Sequence, residues 1–202
     1  MNKIVKDAFV LTAITLISGG LLGSVYEITK EPIAKQEELA KQEAYKTVLP
    51  KADSFKEVAM KGDAGVKIPA AAGYTAQEIT SVASGLDKDG NQVGFVYTIV
   101  TSEGYGGDIT FTMGITSDGT VQGIEMLSIS ETAGLGMKAA EDGFKSQYAN
   151  KKVEKFQYTK TGAVEENEID AISGATITTN AVTNGVNAGL AYFAEEGGKA
   201  NE

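Results

Sequence analysis

The chain has 202 residues, 42% of them hydrophobic, which is enough for one ordinary domain with additional segments. It has no cysteine and no histidine, which excludes disulfides, thiolate chemistry, iron–sulfur ligation, the usual zinc sites and histidine-based triads. All eighteen basic residues are lysines and the formal net charge is −9, so the basic footprint of a nucleic-acid-binding protein is missing. Any chemistry must come from carboxylates, hydroxyls, backbone amides or a bound cofactor.

The first predicted element is a membrane-spanning helix. Residues 8–26, AFVLTAITLISGGLLGSVY, carry no charge between Asp7 and Glu27, and this stretch is just long enough to cross a bilayer. Gly19 and Gly23 share a helix face, which lets another transmembrane helix approach, although glycine is also common in membrane helices generally. A cleaved signal peptide is the alternative, but GSV is a poor cleavage site and no lipobox cysteine is present.

A second helix is predicted after the span. We place the anchor at residues 1–28 and the connecting helix at 29–50, because Pro32 suits a first helical turn and Pro50 ends the pattern. The narrow apolar stripe of the second helix indicates a solvated stalk with one packed face. Lysines lie on both sides of the span, so they do not decide which side the soluble domain occupies.

The predicted soluble domain covers residues 51–196 and contains a β-sheet. Residues 53–75 are rich in glycine and alanine and indicate a loop with short elements. Hydrophobicity then alternates with a period of two, which predicts strands at 79–84, 93–101, 108–116 and 121–130. The Asp-Gly pair in residues 117–120 supplies the positive-φ positions of a compact hairpin turn. The strands are therefore expected to form an antiparallel meander.

The remaining elements are predicted to pack around this sheet. Residues 137–148 are predicted to be a helix and residues 153–159 an edge-like strand. Apolar residues recur at helical spacing from Ala181 to Phe193, which predicts a closing amphipathic helix, and residues 197–202 are predicted to be a flexible tail. The predicted fold class is α+β, a single N-terminal transmembrane helix followed by a domain with an antiparallel sheet and packed helices.

Two glycine-rich loops interrupt the sheet pattern. In EGYGGDI, residues 103–109, three glycines around Tyr105 suit either close approach to a ligand or a mobile hairpin tip. In SETAGLG, residues 130–136, glycines expose backbone amides while Leu135 offers an apolar surface, a combination suited to a flat, partly polar ring. The alternative for this second loop is an ordinary connection capped by Thr132.

The segment DAISGATITTN, residues 170–180, places four hydroxyls near the predicted start of the closing helix: Ser173, Thr176, Thr178 and Thr179. Backbone N–H groups at a helix start lack partners, so one of these hydroxyls can cap the helix. The same N–H groups also favour a bound phosphate, for which Gly174 and Ala175 leave room. Local chemistry alone does not choose among the hydroxyls.

The order of these features resembles RnfG, the FMN-binding subunit of the Rnf complex, and its relative NqrC in the sodium-translocating NADH:quinone reductase. The resemblance covers nearly the whole chain. In that family D-x-x-[ST]-G-A-[TS] is recognised by a flavin transferase, which takes FMN from FAD and joins its phosphate to the last hydroxyl as a phosphodiester. By resemblance Thr176 is the acceptor, and the recognition residues are Asp170, Ser173, Gly174 and Ala175.

The second loop matches the family sequence E-T-P-G-L-G except at one position. Ala133 stands where the family has proline, which is expected to loosen the loop. The matching residues, implied by the resemblance to contact the cofactor, are Glu131, Thr132, Gly134, Leu135 and Gly136. The resemblance implies FMN, covalently attached, as the cofactor and implies no metal. The ring is expected to rest against the AGLG loop with the GYGG loop as a second wall, while Thr178 and Thr179 add hydrogen bonds or cap the helix.

The implied function is that of a membrane-anchored electron-transfer subunit of an ion-translocating ferredoxin:NAD+ oxidoreductase, which is not a complete enzyme alone. Its implied partners are the other membrane subunits of the complex, the flavin transferase and membrane lipid, but not nucleic acid. The resemblance places the domain, residues 51–196, on the extracytoplasmic side of the cell membrane. Three alternatives remain: the quinone reductase subunit, which is typically longer; a stand-alone flavinylated reductase module; and a membrane-tethered scaffold in which Thr176 only caps a helix.

Overall fold

A computed structural model describes residues 2–197 of the chain. They divide into two compact units, one reaching to Lys41 and the other beginning at Gln42. The first element is a single helix, α1, over Lys3–Val48. One window of 18 residues within it has a mean hydropathy of 1.9 and no buried residue, so its length and composition allow it to cross a membrane. Its hydroxyl groups bond back to carbonyls of the preceding turn, as Thr12 does to Ala8 at 2.9 Å, and so need no water.

The helix does not restart at Pro32, as the sequence had suggested. Pro32 lies inside α1, and the helix continues on both sides of it. Proline has no N–H group, so the carbonyl of Ile28 loses its usual helical donor at this point. The long run of good helix formers after Pro32 outweighs this one missing bond.

A five-stranded antiparallel sheet follows, with the strands side by side in chain order. The strands are β1 (Ser54–Val58), β2 (Gln77–Leu86), β3 (Gln92–Thr101), β4 (Ile109–Thr116) and β5 (Val121–Ser128). The four predicted strands and the meander are confirmed. The segment 53–75 contributes β1 and a short helix, α2 (Ala64–Ala71).

The predicted helix over residues 137–148 is replaced by three short helical turns. They are a 3-10 turn over Gly136–Ala140, α3 over Asp142–Lys145, and a 3-10 turn over Ser146–Tyr148. Glu141 has an extended backbone with ψ 147°, which breaks the helix, and Asp142 begins the next turn. An acidic residue at that position favours a new helix start.

The C-terminal part carries a small parallel strand pair and the closing helix. Of the predicted strand 153–159 only β6 (Gln157–Thr159) forms, and it pairs in parallel with β7 (Glu168–Asp170). The closing helix, α4, covers Thr176–Tyr192 and continues as a π-helical segment over Phe193–Gly197. The predicted tail begins at Gly197, and its residues 198–202 lie outside the described part of the chain.

Two apolar clusters lie on opposite faces of the sheet. The larger one contains Val82 of β2 and the buried side of α4, including Val186. The smaller one contains Ala83, the neighbour of Val82, together with Tyr45 and the end of α1. Because successive strand residues point to opposite faces, α4 and the end of α1 cover different sides. This packing fixes the start of α4 at the edge of the domain where the glycine-rich loops lie.

Candidate functional site

The three segments singled out in the sequence meet around one cavity of about 580 Å³. Its walls are Tyr105 from the first loop, residues of the 131–136 segment, and residues 174–178 at the start of α4. A volume of this size suits a small-molecule ligand or cofactor. The long-range packing of sheet and helix thus brings together segments that are up to about 70 residues apart in the chain.

The start of α4 offers unpaired backbone donors to this cavity. Ala175 is the N-cap residue, and no side chain caps the helix. The first helical hydrogen bond runs from the Thr179 N–H to the Ala175 carbonyl, at 3.0 Å. The N–H groups of residues 176–178, which line the cavity, have no protein acceptor within residues 2–197. Together with the helix dipole, they favour an anionic group at this end of the cavity.

The prediction that Thr178 or Thr179 caps the helix is wrong. The buried Thr179 hydroxyl accepts the Ile172 N–H and donates to the Ala175 carbonyl, both at 3.0 Å, so it ties the preceding loop to the helix. The buried Thr178 hydroxyl donates to Glu131 Oε2 at 3.0 Å. Thr176 is half-buried and lines the cavity, and its hydroxyl has no hydrogen bond to any part of the chain that the structure describes.

Glu131 connects all three walls. Its side chain is 8% exposed, and its carboxylate accepts the Gly106 N–H at 3.1 Å and the Thr178 hydroxyl at 3.0 Å. Gly136 lies against this arrangement so closely that a Cβ there would stand 2.6 Å from both Glu131 Oε2 and Thr178 Oγ1. The match of Glu131 and Gly136 to the family sequence therefore has a structural reason, since both shape the walls from behind.

Gly174 brings the start of α4 against the AGLG loop. Its φ of 78° lies in the left-handed region, and a Cβ there would be 3.0 Å from Leu135 Cδ2. Leu135 is 42% exposed despite being apolar, as are Ile177 at 53% and Tyr105 at 73%. These three side chains give the cavity an apolar wall beside the helix N–H groups.

Most of the predicted cofactor-contacting residues line the cavity: Glu131, Thr132, Leu135, Gly136, Gly174, Ala175, Thr176 and Thr178. Four others do not: Asp170, Ser173, Gly134 and Thr179. Ser173 is exposed outside the cavity lining. The Asp170 carboxylate accepts the Ala163 N–H, and its backbone N–H donates to Gln147, so it organises the neighbouring loop.

One lining residue was missed by sequence reasoning, and one was assigned only in part. Ile177 was not predicted, although an exposed isoleucine at the second position of an amphipathic helix is a signal that no core contact explains. Tyr105 was expected either on a mobile tip or on a wall, and the structure places it at the wall. No lysine lines the cavity within residues 2–197, so the helix start is its source of positive potential.

Comparison with known families supports a flavin-related fold. The sequence model of the FMN-binding domain matches residues 104–191, and that of the RnfG N-terminal region matches residues 1–48. The chain is 32% identical to the G subunit of the proton-translocating ferredoxin:NAD(+) oxidoreductase complex of Clostridium ljungdahlii, over 87% of this chain and 84% of that protein. It is 31% identical to the G subunit of the Na(+)-translocating ferredoxin:NAD(+) oxidoreductase complex of Acetobacterium woodii, over 93% and 90%.

Solved structures show the same fold. NqrC of Shewanella oneidensis superimposes with a TM-score of 0.51 at 16% identity, covering 78% of this chain and 73% of that one. The C subunit of the Na(+)-translocating NADH-quinone reductase of Parabacteroides distasonis gives 0.53 at 20% identity, covering 81% and 94%.

Proposed function

The chain belongs to the RnfG family of ion-translocating oxidoreductase complexes, and we propose that it carries electrons through one FMN attached covalently to Thr176. It is the membrane-anchored flavin subunit of such a complex. One observation carries the choice of residue. Of the two threonines at the helix start that line the cavity, Thr178 is bonded to Glu131, whereas the Thr176 hydroxyl has no partner within the described residues.

The residues present fit FMN. Tyr105, Leu135 and Ile177 offer apolar surface for a flat ring, and the free N–H groups of residues 176–178 offer donors for a phosphate. When bound, FMN supplies the redox chemistry, while the protein orients it and limits its contact with water. The single negative charge of a phosphodiester beside the helix start would be stabilised by about 0.3–1 kcal/mol.

Covalent attachment matches the charges of the site. Glu131 is the carboxylate beside the cavity and no lysine lines the cavity within the described chain, so a free, doubly charged phosphate would be held weakly. An ester at Thr176 removes one of those charges and fixes the cofactor in place. Thr176 has no adjacent base, because the chain lacks histidine and Glu131 is already bonded to two donors. A separate flavin transferase is therefore required.

The subunit is proposed to act within a larger assembly. Its cavity accommodates one flavin, and the chain has no cysteine or histidine with which to hold an iron–sulfur cluster or haem. Electrons must therefore pass to redox centres on neighbouring membrane subunits, and the protein alone is not a complete enzyme. The N-terminal helix would contact lipid, and the flavin domain is proposed to lie on the extracytoplasmic side. The relatives named above favour an Rnf-type complex over the quinone reductase, to which the likeness is one of fold.

The test is production of the full-length protein with and without a flavin transferase, followed by intact-mass measurement and in-gel flavin fluorescence. Wild-type protein should gain one FMN minus one water only with the transferase. Thr176→Val should abolish the gain and Thr176→Ser should retain it, while Thr161→Val is the matched control outside the cavity. Fluorescent Thr176→Val protein would show that another residue is the acceptor. Wild-type protein that stays unmodified would favour the scaffold alternative.

A further inference from the structure

The loop that carries Tyr105 is tied to the helix that begins at the proposed attachment residue. Thr176, Asn180 and Asn184 follow one another at intervals of four residues, so they lie along one face of α4. Glu103 Oε2 accepts hydrogen bonds from Asn184 Nδ2 at 2.7 Å and from Asn180 Nδ2 at 3.4 Å. The Glu103 carboxylate therefore links the start of the loop to the helix face headed by Thr176.

A second tie holds the other side of Tyr105. The Gly106 N–H donates to Glu131 Oε1 at 3.1 Å. Tyr105 lies between the two ties, with a ring that is 73% exposed and that forms part of the cavity wall. A loop with three glycines in four residues would otherwise sample many conformations, because glycine has the largest backbone freedom. The two carboxylates thus restrain a segment that the sequence leaves flexible.

We propose that Glu103 is a positioning residue: it holds the Tyr105 ring over the FMN site and so determines how far the bound flavin is exposed to water. This inference rests on the proposed function for its flavin arm, but the restraint of the loop is a property of the chain itself. Hydrogen bonds to an ionised carboxylate are stronger than those between neutral groups, so glutamine at this position would hold the loop less firmly and alanine would release it.

The first measurement is hydrogen exchange of the backbone amides of residues 104–107 in full-length protein made without the transferase. Glu103→Ala should speed this exchange roughly fivefold or more, the factor expected when one net hydrogen bond is lost, and Glu103→Gln should have a smaller effect. Glu141→Ala, which removes an exposed carboxylate that does not line the cavity, is the matched control and should leave the exchange unchanged.

The second measurement is quenching of the attached flavin by acrylamide, which is uncharged and so does not respond to the lost charge of Glu103. Glu103→Ala and Tyr105→Ala should each increase quenching. The double variant should be quenched no more than Tyr105→Ala alone, because Glu103 acts through Tyr105. Additive effects in the double variant would overturn the proposal.

Two other results would also overturn it: unchanged exchange in Glu103→Ala, or lowered thermal stability in that variant with quenching equal to that of the wild type. Absence of flavin in the wild type after treatment with the transferase would instead refute the proposed function. The exchange measurement would still test the restraint by Glu103 in that case.

Discussion

The Glu131 carboxylate accepts the Thr178 hydroxyl at 3.0 Å, across 47 residues of chain and with both side chains buried. This bond connects the loop after β5 to the first turn of α4. Because the same carboxylate also accepts the Gly106 N–H, the geometry of the whole cavity depends on one side chain. Burial of these groups makes their pairing matter, since an unpaired polar group loses its bonds to water without replacement.

Replacement of Glu131 should therefore destabilise the domain. Glu131→Ala leaves the buried Thr178 hydroxyl without its acceptor, and we expect the free energy of unfolding to fall by about 1–3 kcal/mol. Glu131→Gln keeps one acceptor oxygen and should cost less. Urea unfolding followed by circular dichroism would measure both, with the exposed Glu141→Gln as control, expected to stay within about 0.5 kcal/mol of wild type. Equal stability of Glu131→Ala and the control would contradict the bridging role.

Gly136 should tolerate no side chain. A Cβ at this position would lie 2.6 Å from both Glu131 Oε2 and Thr178 Oγ1, well inside contact distance. Gly136→Ala should cost about 1–3 kcal/mol of unfolding free energy, because the buried pair must move apart. Gly143→Ala is the matched control, since Gly143 lies in α3 with no heavy atom within 4 Å of its Cβ position. That control should be neutral or slightly stabilising, and a similar loss in both variants would contradict the steric argument.

The sheet could be predicted from the sequence because its signal is local. The period of two from Val93 to Ser128 follows directly from strands with one face on a core. The region of residues 136–148 was not predictable in the same way, because the extended backbone at Glu141 depends on how the flanking turns pack on the sheet. At Pro32 the local rule for a helix start was overridden by strong helix formers on both sides.

The candidate site shows the same division between local and long-range information. A contiguous motif pointed to Thr176 and a second one to the AGLG loop, and both line the cavity. The bonds of Thr178 to Glu131 and of Asn184 to Glu103 could not be predicted, because they join residues 47 and 81 positions apart. Without knowledge of those partners, Thr178 resembles any other hydroxyl at a helix start.

The division between anchor and domain predicts which truncation keeps the fold. Removing residues 1–41 should leave a folded, soluble domain, because the second compact unit begins at Gln42. Removing residues 1–53 also deletes Tyr45, Val48 and Leu49, each at most 1% exposed in the smaller core cluster. Burial of each contributes about 1.5–3 kcal/mol, so their loss approaches the total stability of a small domain.

The two truncated chains can be compared by solubility without detergent and by calorimetry. We expect a cooperative unfolding transition only for the chain that begins at Gln42. A cooperative transition of equal midpoint in the shorter chain would show that the end of α1 adds nothing to the domain.

Tyr97 should make the domain sensitive to alkaline pH. Burial raises the pKa of its phenol above the ordinary value of 10.0, and the nearby Tyr192 raises it further. The folded state therefore keeps the proton while the unfolded state releases it, so the stabilisation is complete below about pH 10 and declines as the pH rises above that value. Tyr97→Phe keeps the ring, which is stacked on Phe95 at 6.2 Å, and removes the titrating group. Above about pH 10 the variant should lose stability less steeply than wild type, by up to about 1.4 kcal/mol per pH unit, in urea unfolding of the full chain. Identical slopes for the two proteins would show that the Tyr97 phenol ionises as readily in the folded state as in the unfolded one.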